Sequence, residues 1–226
     1  MPFVAAPNAP VGRAAGAISA LPIVQAMKRV PKGFTLLELM VVLAIAGVLA
    51  AVAIPAMGDF MRNSRITAAA NDVMAALHFT RSESIKRRQP VTLCTSANAQ
   101  AATPACANSP LLTGWVSFVD LNQDGVINVG EDVLLQHEAM NPLITARSSL
   151  AQFRITYLLN GFALNPNRAQ LVLCDERGNV PSAGQLSSAR GILISVTGRA
   201  GVTRELGEIQ DLIDDIGVDF AGCEAA

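Results

Sequence analysis

Three patterns of apolar and polar residues follow one another along the chain. Residues 34–57 hold one charged side chain, Glu38, in a largely apolar run. A helix of about 20 apolar residues spans the ~30 Å hydrocarbon core of a bilayer. In residues 58–88, apolar side chains recur at helical spacing and most charges fall on another face, which predicts an amphipathic helix. The apolar positions of this helix are Phe60, Val73, Leu77 and Ile85.

The third pattern begins at Gln89-Pro90, where the helix should end because the residue before a proline disfavours helical geometry. Short segments rich in β-branched and aromatic residues follow, separated by Gly, Pro, Asn and Ser, and they predict strands. These segments are Val91–Cys94, Gly114–Val119, Val133–Leu135, Phe153–Tyr157, Leu171–Cys174 and Gly191–Val196. The chain is therefore predicted to be α+β, with a long N-terminal helix packed on a mostly antiparallel β domain at 89–226.

Glu38 is the first chemical signal, because a charged side chain near a bilayer centre costs roughly 2.5–3.5 kcal/mol and calls for a partner. Helix geometry suggests that partner. If the chain were cut between Gly33 and Phe34, the new amino group would lie one helical turn from Glu38, since positions i and i+4 are neighbours. An amine and a carboxylate are each costly to bury alone and much less costly as a pair.

The segment Lys-Gly-Phe-Thr-Leu-Leu-Glu at 32–38 resembles the leader-cleavage motif of type IV pilins and type II secretion pseudopilins. The resemblance implies that a prepilin peptidase cuts between Gly33 and Phe34 and methylates Phe34. It also implies that Glu38 pairs with the N-terminus of a neighbouring subunit during filament assembly. Pro55 lies where this family often carries a helix-bending proline, and a proline inside a helix removes one backbone hydrogen bond.

Two simpler interpretations of the N-terminus stay open. One is a secretory signal peptide cut at Ala51-Val52-Ala53, and the other is a membrane anchor without processing. Residues 1–33, the predicted cleaved leader, contain basic residues and no acid. The positive-inside rule therefore holds that end in the cytoplasm and sends the rest across the inner membrane into the periplasm, on a single span. Met27 would begin a shorter leader and is an alternative start of translation.

The exported part carries a net negative charge and all the cysteines. Without the leader, 13 basic residues face 18 acidic ones, which argues against a generally basic nucleic-acid binder. Four cysteines in an oxidising compartment predict disulfides with three possible pairings, and nearness in sequence favours Cys94–Cys106 and Cys174–Cys223. A zinc site is the alternative, but no Cys-x-x-Cys occurs and only His78 and His137 could assist.

One segment, at 120–131, matches the calcium-loop pattern D-x-[DN]-x-[DN]-G-x₅-E at every defined position. Its candidate ligands are Asp120, Asn122, Asp124, Asn128 and Glu131. The context differs from an EF-hand, because extended segments rather than helices flank the loop. A β-hairpin turn selects the same residue types, since Asn, Asp and Gly accept left-handed geometry. The residues predict no cofactor other than calcium, and the hairpin and calcium interpretations both stay open.

The C-terminal third carries a second resemblance. Leu171–Asp175, Ala189–Arg199 and a lone Cys223, together with Trp115–Asp120, resemble the C-terminal domain of GspH/FimT-type minor pilins and pseudopilins. In FimT-like members a Gly-Arg-x-Arg segment near this end is associated with binding DNA in natural transformation. Here Arg199 matches the first arginine, glycine replaces the second, and Arg204 is a nearby substitute. The acidic residues after Arg204 would repel DNA unless that tail folds away, so both arginines could instead pair with it.

These observations predict a minor, FimT-like type IV pilin that is processed, inserted into or primes a periplasmic pilus, and aids DNA uptake. A GspH-like minor pseudopilin of a type II secretion system is the alternative. The implied partners are prepilin peptidase, other pilins or pseudopilins of the filament, the inner membrane and DNA. No serine-nucleophile elbow, phosphate-binding glycine loop or apolar carboxylate pair occurs in the sequence, so we do not expect an enzyme.

Overall fold

A computed structural model of the chain describes residues 33–109, 111–164, 169–182, 184 and 186–216. The first element, α1 (Leu36–Arg87), is a helix of 52 residues. The described residues 33–48 belong to one unit, and the described residues from Leu49 onward belong to a second. The leader 1–32, the alternative start Met27 and Cys223 lie outside the described residues.

The first part of α1 is long and apolar enough to cross a membrane, by length and composition. Its large apolar side chains are exposed on all sides rather than packed on one face, as expected of a segment whose solvent is lipid or other apolar helices. The exposed residues include Leu36, Leu37, Leu39, Met40, Val41, Val42, Leu43, Ile45, Val48, Leu49, Val52 and Ile54.

The second part of α1 buries one face, as predicted for an amphipathic helix. This face contains Ile66, Ala69, Ala70, Val73, Ala76 and Leu77 and continues as Thr80 and Ser84. Two residues predicted for it are exposed, Phe60 at 69% and Ile85 at 48%, because each lies one position away from the buried repeat. The helix ends at Arg87, and Arg88 takes the left-handed conformation with φ 52°. The predicted stop before Pro90 is therefore confirmed.

Within the described residues, the β domain contains two sheets, and the strand pairings in them are antiparallel. The first sheet has the order β3-β2-β1-β5 and the second has the order β4-β6-β8-β7, with β9 paired to β8. The strands of the first sheet are β1 (Val91–Ser96), β2 (Gly114–Val119), β3 (Val133–His137) and β5 (Arg154–Tyr157). The strands of the second are β4 (Thr145–Ser148), β6 (Ala169–Cys174), β7 (Pro181–Ser182), β8 (Leu186–Ile194) and β9 (Ala200–Glu205).

The main hydrophobic core joins the buried face of α1 to both sheets. Apolar side chains from α1, β1, β2, β5, β6 and β8 form one continuous cluster, with Trp115 and Tyr157 the largest fully buried members. The predicted α+β class, a long helix packed on antiparallel strands, is confirmed. Burial of this shared surface is what holds the helix on the sheets, because apolar area removed from water contributes about 25 cal/mol per Å².

Four elements were not predicted: β4, β7, β9 and a second helix, α2 (Leu206–Ile216). Ile209 and Leu212 of α2 are buried in a smaller cluster with Val172 and Ala189. The helix approaches β8 closely at Gly191, where an added Cβ would lie 2.6 Å from a Leu212 methyl. The first part of the acidic tail thus folds as an amphipathic helix, whose apolar spacing the high charge obscured.

Candidate processing and assembly site

The segment before α1 presents the predicted cleavage junction. Gly33, Phe34 and Thr35 are exposed and lie outside the helix, and Phe34 is 83% exposed. Peptidases require a peptide bond that is accessible and free of helical hydrogen bonds. The backbone around Gly33–Phe34 meets that requirement, so the junction predicted from sequence is sterically open in the uncleaved chain.

Thr35 sets the start of the helix. Its hydroxyl accepts a hydrogen bond from the backbone N–H of Glu38 at 3.2 Å, and its carbonyl accepts one from the N–H of Leu39 at 3.1 Å. This is the N-cap position of a Thr-x-x-Glu capping sequence, which satisfies one of the N–H groups left open at a helix start. The helix therefore begins at Leu36, two residues later than the predicted apolar run.

Glu38 lies in the first turn of α1, at the positive end of the helix dipole, where a negative charge is favourable. It is exposed and is surrounded by exposed apolar side chains such as Leu37 and Leu39. Phe34 precedes the helix, so one added turn at the N-terminus would be needed to bring its nitrogen next to Glu38 at i and i+4. The carboxylate is thus available to an amine of its own chain or of a neighbour.

The loop that resembles a calcium site joins β2 to β3 as the end of an antiparallel hairpin. Its acidic side chains accept hydrogen bonds from the loop's own backbone. Glu131 accepts from the N–H groups of Leu121 and Asn128, at 2.9 and 2.8 Å. Asp124 accepts from the N–H of Val126 at 2.8 Å. The predicted hairpin is therefore confirmed: the loop connects two antiparallel strands.

The pKa of Asp124 is lowered, first by the hydrogen bond from the Val126 N–H and then by the side chain of Asn128. Asn122 also donates to Asp124, at 2.8 Å, so the three side chains converge above the loop. Among the residues that the structure describes, no three His, Cys, Asp or Glu side chains form a group that could hold a metal ion. Calcium binding stays a prediction at this point.

The predicted Cys94–Cys106 disulfide is present, with Cα atoms 5.6 Å apart. It joins Cys94 within β1 to Cys106 in the second half of the loop between β1 and β2, whose irregular path was predicted. Cys174 is also disulfide-bonded, while its predicted partner Cys223 lies outside the described residues, so that pairing stays a prediction. His137 stacks on Trp115 with ring centroids 3.8 Å apart. The Cys94–Cys106 disulfide leaves the alternative zinc site without the thiols of these two cysteines.

The two arginines assigned to DNA are not brought together. Arg199 is exposed in the turn between β8 and β9, and Arg204 lies near the other end of β9. Five steps along an extended chain, at about 3.4 Å each, place their Cα atoms about 17 Å apart. Arg204 instead lies beside Arg190, and its Nε is buried without a hydrogen-bond partner among the described residues. DNA binding stays a prediction that rests mainly on Arg199; salt-sensitive duplex binding that Arg199→Gln leaves unchanged would end it.

Sequence reasoning missed a polar connection between α1 and the turn after β6. Arg62 pairs with Glu176 at 2.9 Å, and Arg177 pairs with Asp175 and also donates to Asn63 at 3.1 Å. Burial alone would raise the pKa of Asp175, but the hydrogen bonds from Arg177 outweigh it and lower the pKa. The Asp-x-Arg spacing at 175–177 was a signal of this pair.

Arg190 of β8 completes this connection. It is buried, and it donates to the carbonyl oxygens of Ser188 and Ala189 and to the hydroxyl of Thr67 on α1. The register between β8 and β9 shifts between Leu186 and Gly191, so the side chain bonds carbonyls at the irregularity. Burial and then the neighbouring guanidinium of Arg204 lower the pKa of Arg190 to about 10. The side chain therefore holds α1 against the second sheet.

An exposed apolar helix after an open peptide junction, followed by an antiparallel β domain that packs on the rest of the helix, defines the pilin-like class of membrane-anchored proteins. Two family models match the chain. The model described as the prokaryotic N-terminal methylation motif matches residues 28–54, and the model described as type II transport protein GspH matches residues 69–198. The chain belongs to the GspH family, and it carries the N-terminal methylation motif.

Individual relatives match only parts of the chain. A fimbrial protein of Pseudomonas aeruginosa is 35% identical over 102 residues, which is 43% of this chain and 65% of that protein. Fimbrial protein EcpC of Eikenella corrodens is 53% identical over 45 residues, 20% of this chain and 29% of that protein. The chain thus spans less than two thirds of these relatives. A crystal structure of the minor pilin FimU of Pseudomonas aeruginosa matches 60% of this chain and 90% of its own, at 20% identity and a TM-score of 0.42.

Proposed function

We propose that this protein is a minor type IV pilin, processed between Gly33 and Phe34 and inserted into a periplasmic filament through α1. One observation carries the proposal. A single carboxylate, Glu38, lies in the first turn of an exposed apolar helix, directly after an accessible cleavage junction. We expect the role to be structural and the protein to have no catalytic activity.

Filament assembly would place the charge of Glu38 among apolar helices. Apolar helices pack side by side without an ionic partner, but a lone carboxylate among them is costly unless a cation pairs with it. Cleavage creates such a cation, because it leaves an amino group on Phe34. A subunit whose Glu38 meets the amine of its neighbour joins the filament in one register. Such a head-to-tail contact between different surfaces extends into an open filament when its rotation does not close into a ring.

The pilus is favoured over a secretion pseudopilus by the similarity to fimbrial proteins. The match to the Pseudomonas aeruginosa protein covers 102 residues, more than the 27 positions of the methylation motif at 28–54. The family model itself is described as a type II transport protein, so a GspH-like pseudopilin is the second candidate. Loss of pili in a deletion strain with normal secretion supports the first role, and the reverse result supports the second.

The test of processing is the intact mass of the protein recovered from membranes. We expect a chain that begins at Phe34 and carries one extra methyl group. The leader still attached, or a cut after Ala53, would overturn the proposal.

The test of assembly is Glu38→Gln, which removes the charge and keeps the shape. The expected result is normal insertion in the membrane and at least a tenfold loss from sheared filaments. Asp72→Asn, an acid-to-amide change at an exposed position of the same helix, is the matched control and should assemble normally. Equal amounts of Glu38→Gln and wild-type protein in filaments would refute the role of the carboxylate.

A further inference from the structure

The loop at 120–131 contains a buried carboxylate that its surroundings satisfy only in part. Asp120 is completely buried, and its Oδ2 accepts hydrogen bonds from the Thr92 hydroxyl at 2.7 Å and from the Gly125 N–H at 3.0 Å. Its Oδ1 is also buried and has no hydrogen-bond partner within the described part of the chain. A buried polar atom without a partner is costly, so a ligand for Oδ1 would stabilise the fold.

The bond from Gly125 directs this carboxylate into the loop. Gly125 follows Asp120 by five residues and takes the left-handed conformation with φ 70°, which folds the chain back over the acid. A side chain at this position would overlap Arg154, so the sharp turn needs glycine. The carboxylate group of Asp120 therefore lies against the backbone of a loop that carries further oxygen donors.

Those donors already lie close together. Asn128 is 3.1 Å from an oxygen of Asp124 and 3.1 Å from the carbonyl oxygen of Val126, both through its amide nitrogen. Asn122 is 2.8 Å from the same carboxylate. Rotation of the Asn122 and Asn128 amides would turn their oxygens toward a cation in place of their NH₂ groups, since the two ends of an amide differ only by that flip.

We propose that residues 120–131 bind one calcium ion, with Asp120 Oδ1 as the buried ligand. Side-chain oxygens of Asn122, Asp124 and Asn128 and the Val126 carbonyl supply further ligands. Glu131 completes the set by exchanging its two backbone N–H partners for the ion. All the donors are oxygens and come from six residues, which matches the six to eight oxygen ligands that calcium takes. Magnesium needs a tighter octahedral set, and zinc prefers nitrogen and sulfur.

The expected consequence is a stiffer end of the β2–β3 hairpin at millimolar calcium. Sites in extracellular modules bind calcium with Kd of about 10⁻⁴–10⁻³ M. This loop would fall in that range because its carboxylates form no metal-holding group among the described residues until Glu131 and the two amides rearrange. Binding to the folded state alone raises its stability in proportion to the logarithm of the ion concentration.

The test uses the full chain in detergent micelles after chelator treatment, titrated with calcium chloride and followed by calorimetry and thermal unfolding. We expect saturable binding and a melting temperature that rises with calcium. Asp124→Asn keeps the acceptor for the Val126 N–H but removes a charge, and it should weaken binding at least tenfold. Glu131→Gln should do the same. Asp132→Asn is the matched control, because this exposed acid lies just outside the motif and its loss should change the affinity less than twofold.

Three results would overturn the proposal. The first is the absence of binding heat and of any melting shift at about 10 mM calcium, ten times the weak limit of such sites. The second is an equal effect of Asp132→Asn and Asp124→Asn, which would indicate screening of charge. The third is an equal response to magnesium. A site filled by a buried water would give the first result. None of these results bears on filament assembly, which is read at Glu38.

Discussion

Replacing both cysteines of the Cys94–Cys106 disulfide with alanine should destabilise the protein mainly by increasing the conformational entropy of the unfolded chain. The bond closes a loop with a sequence separation of 12 residues. In the chain-entropy model, the loss of that closure costs about 3 kcal/mol at 25 °C for a loop of this length. The expected change is thus a loss of about 3 kcal/mol in the free energy of unfolding.

The folded state should survive this change, because hydrogen bonds also hold the loop. The N–H of Ala107 donates to the carbonyl oxygen of Thr95 at 2.7 Å, and the Ser96 hydroxyl donates to the carbonyl oxygen of Ala105 at 2.7 Å. Cys94 itself is buried against Val116 and Phe118, so alanine leaves a small gap in that cluster. This gap adds to the loss in the free energy of unfolding but leaves the course of the loop unchanged.

Urea unfolding, followed by the fluorescence of Trp115, measures the free energy of unfolding and its slope against urea concentration. Trp115 is the one tryptophan of the chain. The slope of the free energy against urea should increase, because an unfolded chain without the crosslink exposes more surface. Cys106→Ala alone breaks the same bond and should give a similar loss. A loss below about 1 kcal/mol with an unchanged slope would contradict this prediction, since it would show that the crosslink does not restrict the unfolded chain.

Two further predictions concern contacts that the structure revealed. Ile209→Ala should lower the free energy of unfolding by about 2–5 kcal/mol, because this side chain of α2 is fully buried against the second sheet. Hydrogen exchange should rise across α2. The exposed Val202→Ala is its control, and equal small losses in both would contradict the packing. Because the pKa of Asp175 is lowered in the folded state, its pairing with Arg177 stabilises the protein above the unfolded pKa and is lost as pH falls through the folded pKa. Asp175→Asn should therefore be less stable than wild type at neutral pH and equal to it in acid; a constant difference would refute this.

The parts of the fold that could be predicted are those in which one local pattern dominates. The strand Gly114–Val119 was predicted to the residue, because its β-branched and aromatic residues are bounded by turns. β4 and β9 were missed because they are polar edge strands whose pairing depends on neighbours far away in sequence. The helix α2 was missed because its charge was interpreted as a solvated tail. Its apolar residues 206, 209, 212 and 213 do follow helical spacing.

The candidate sites show the same division. Cleavage at Gly33–Phe34 and the role of Glu38 stay predictions from a contiguous motif. The Cys94–Cys106 pair could be predicted because the two cysteines are close in sequence. Arg190 and its bond to Thr67 could not be predicted, because 123 positions separate the two residues. The buried Oδ1 of Asp120 was also beyond prediction, since its burial depends on how β2 packs and not on the loop itself.

The charges at the start of α1 would couple processing to assembly. In the uncleaved chain, Thr35 caps α1 and Glu38 faces the positive end of the helix dipole, so the first turn is stable without a partner. Cleavage would place a positive amine at that same end, where the dipole opposes it. The carboxylate of Glu38 could then balance either the amine of Phe34 or the positive end of the helix dipole. A second Glu38, from a neighbouring subunit, would allow both positive charges to be balanced. By this reasoning a processed subunit is less stable alone in the membrane than beside another, which is why the cut should precede filament growth.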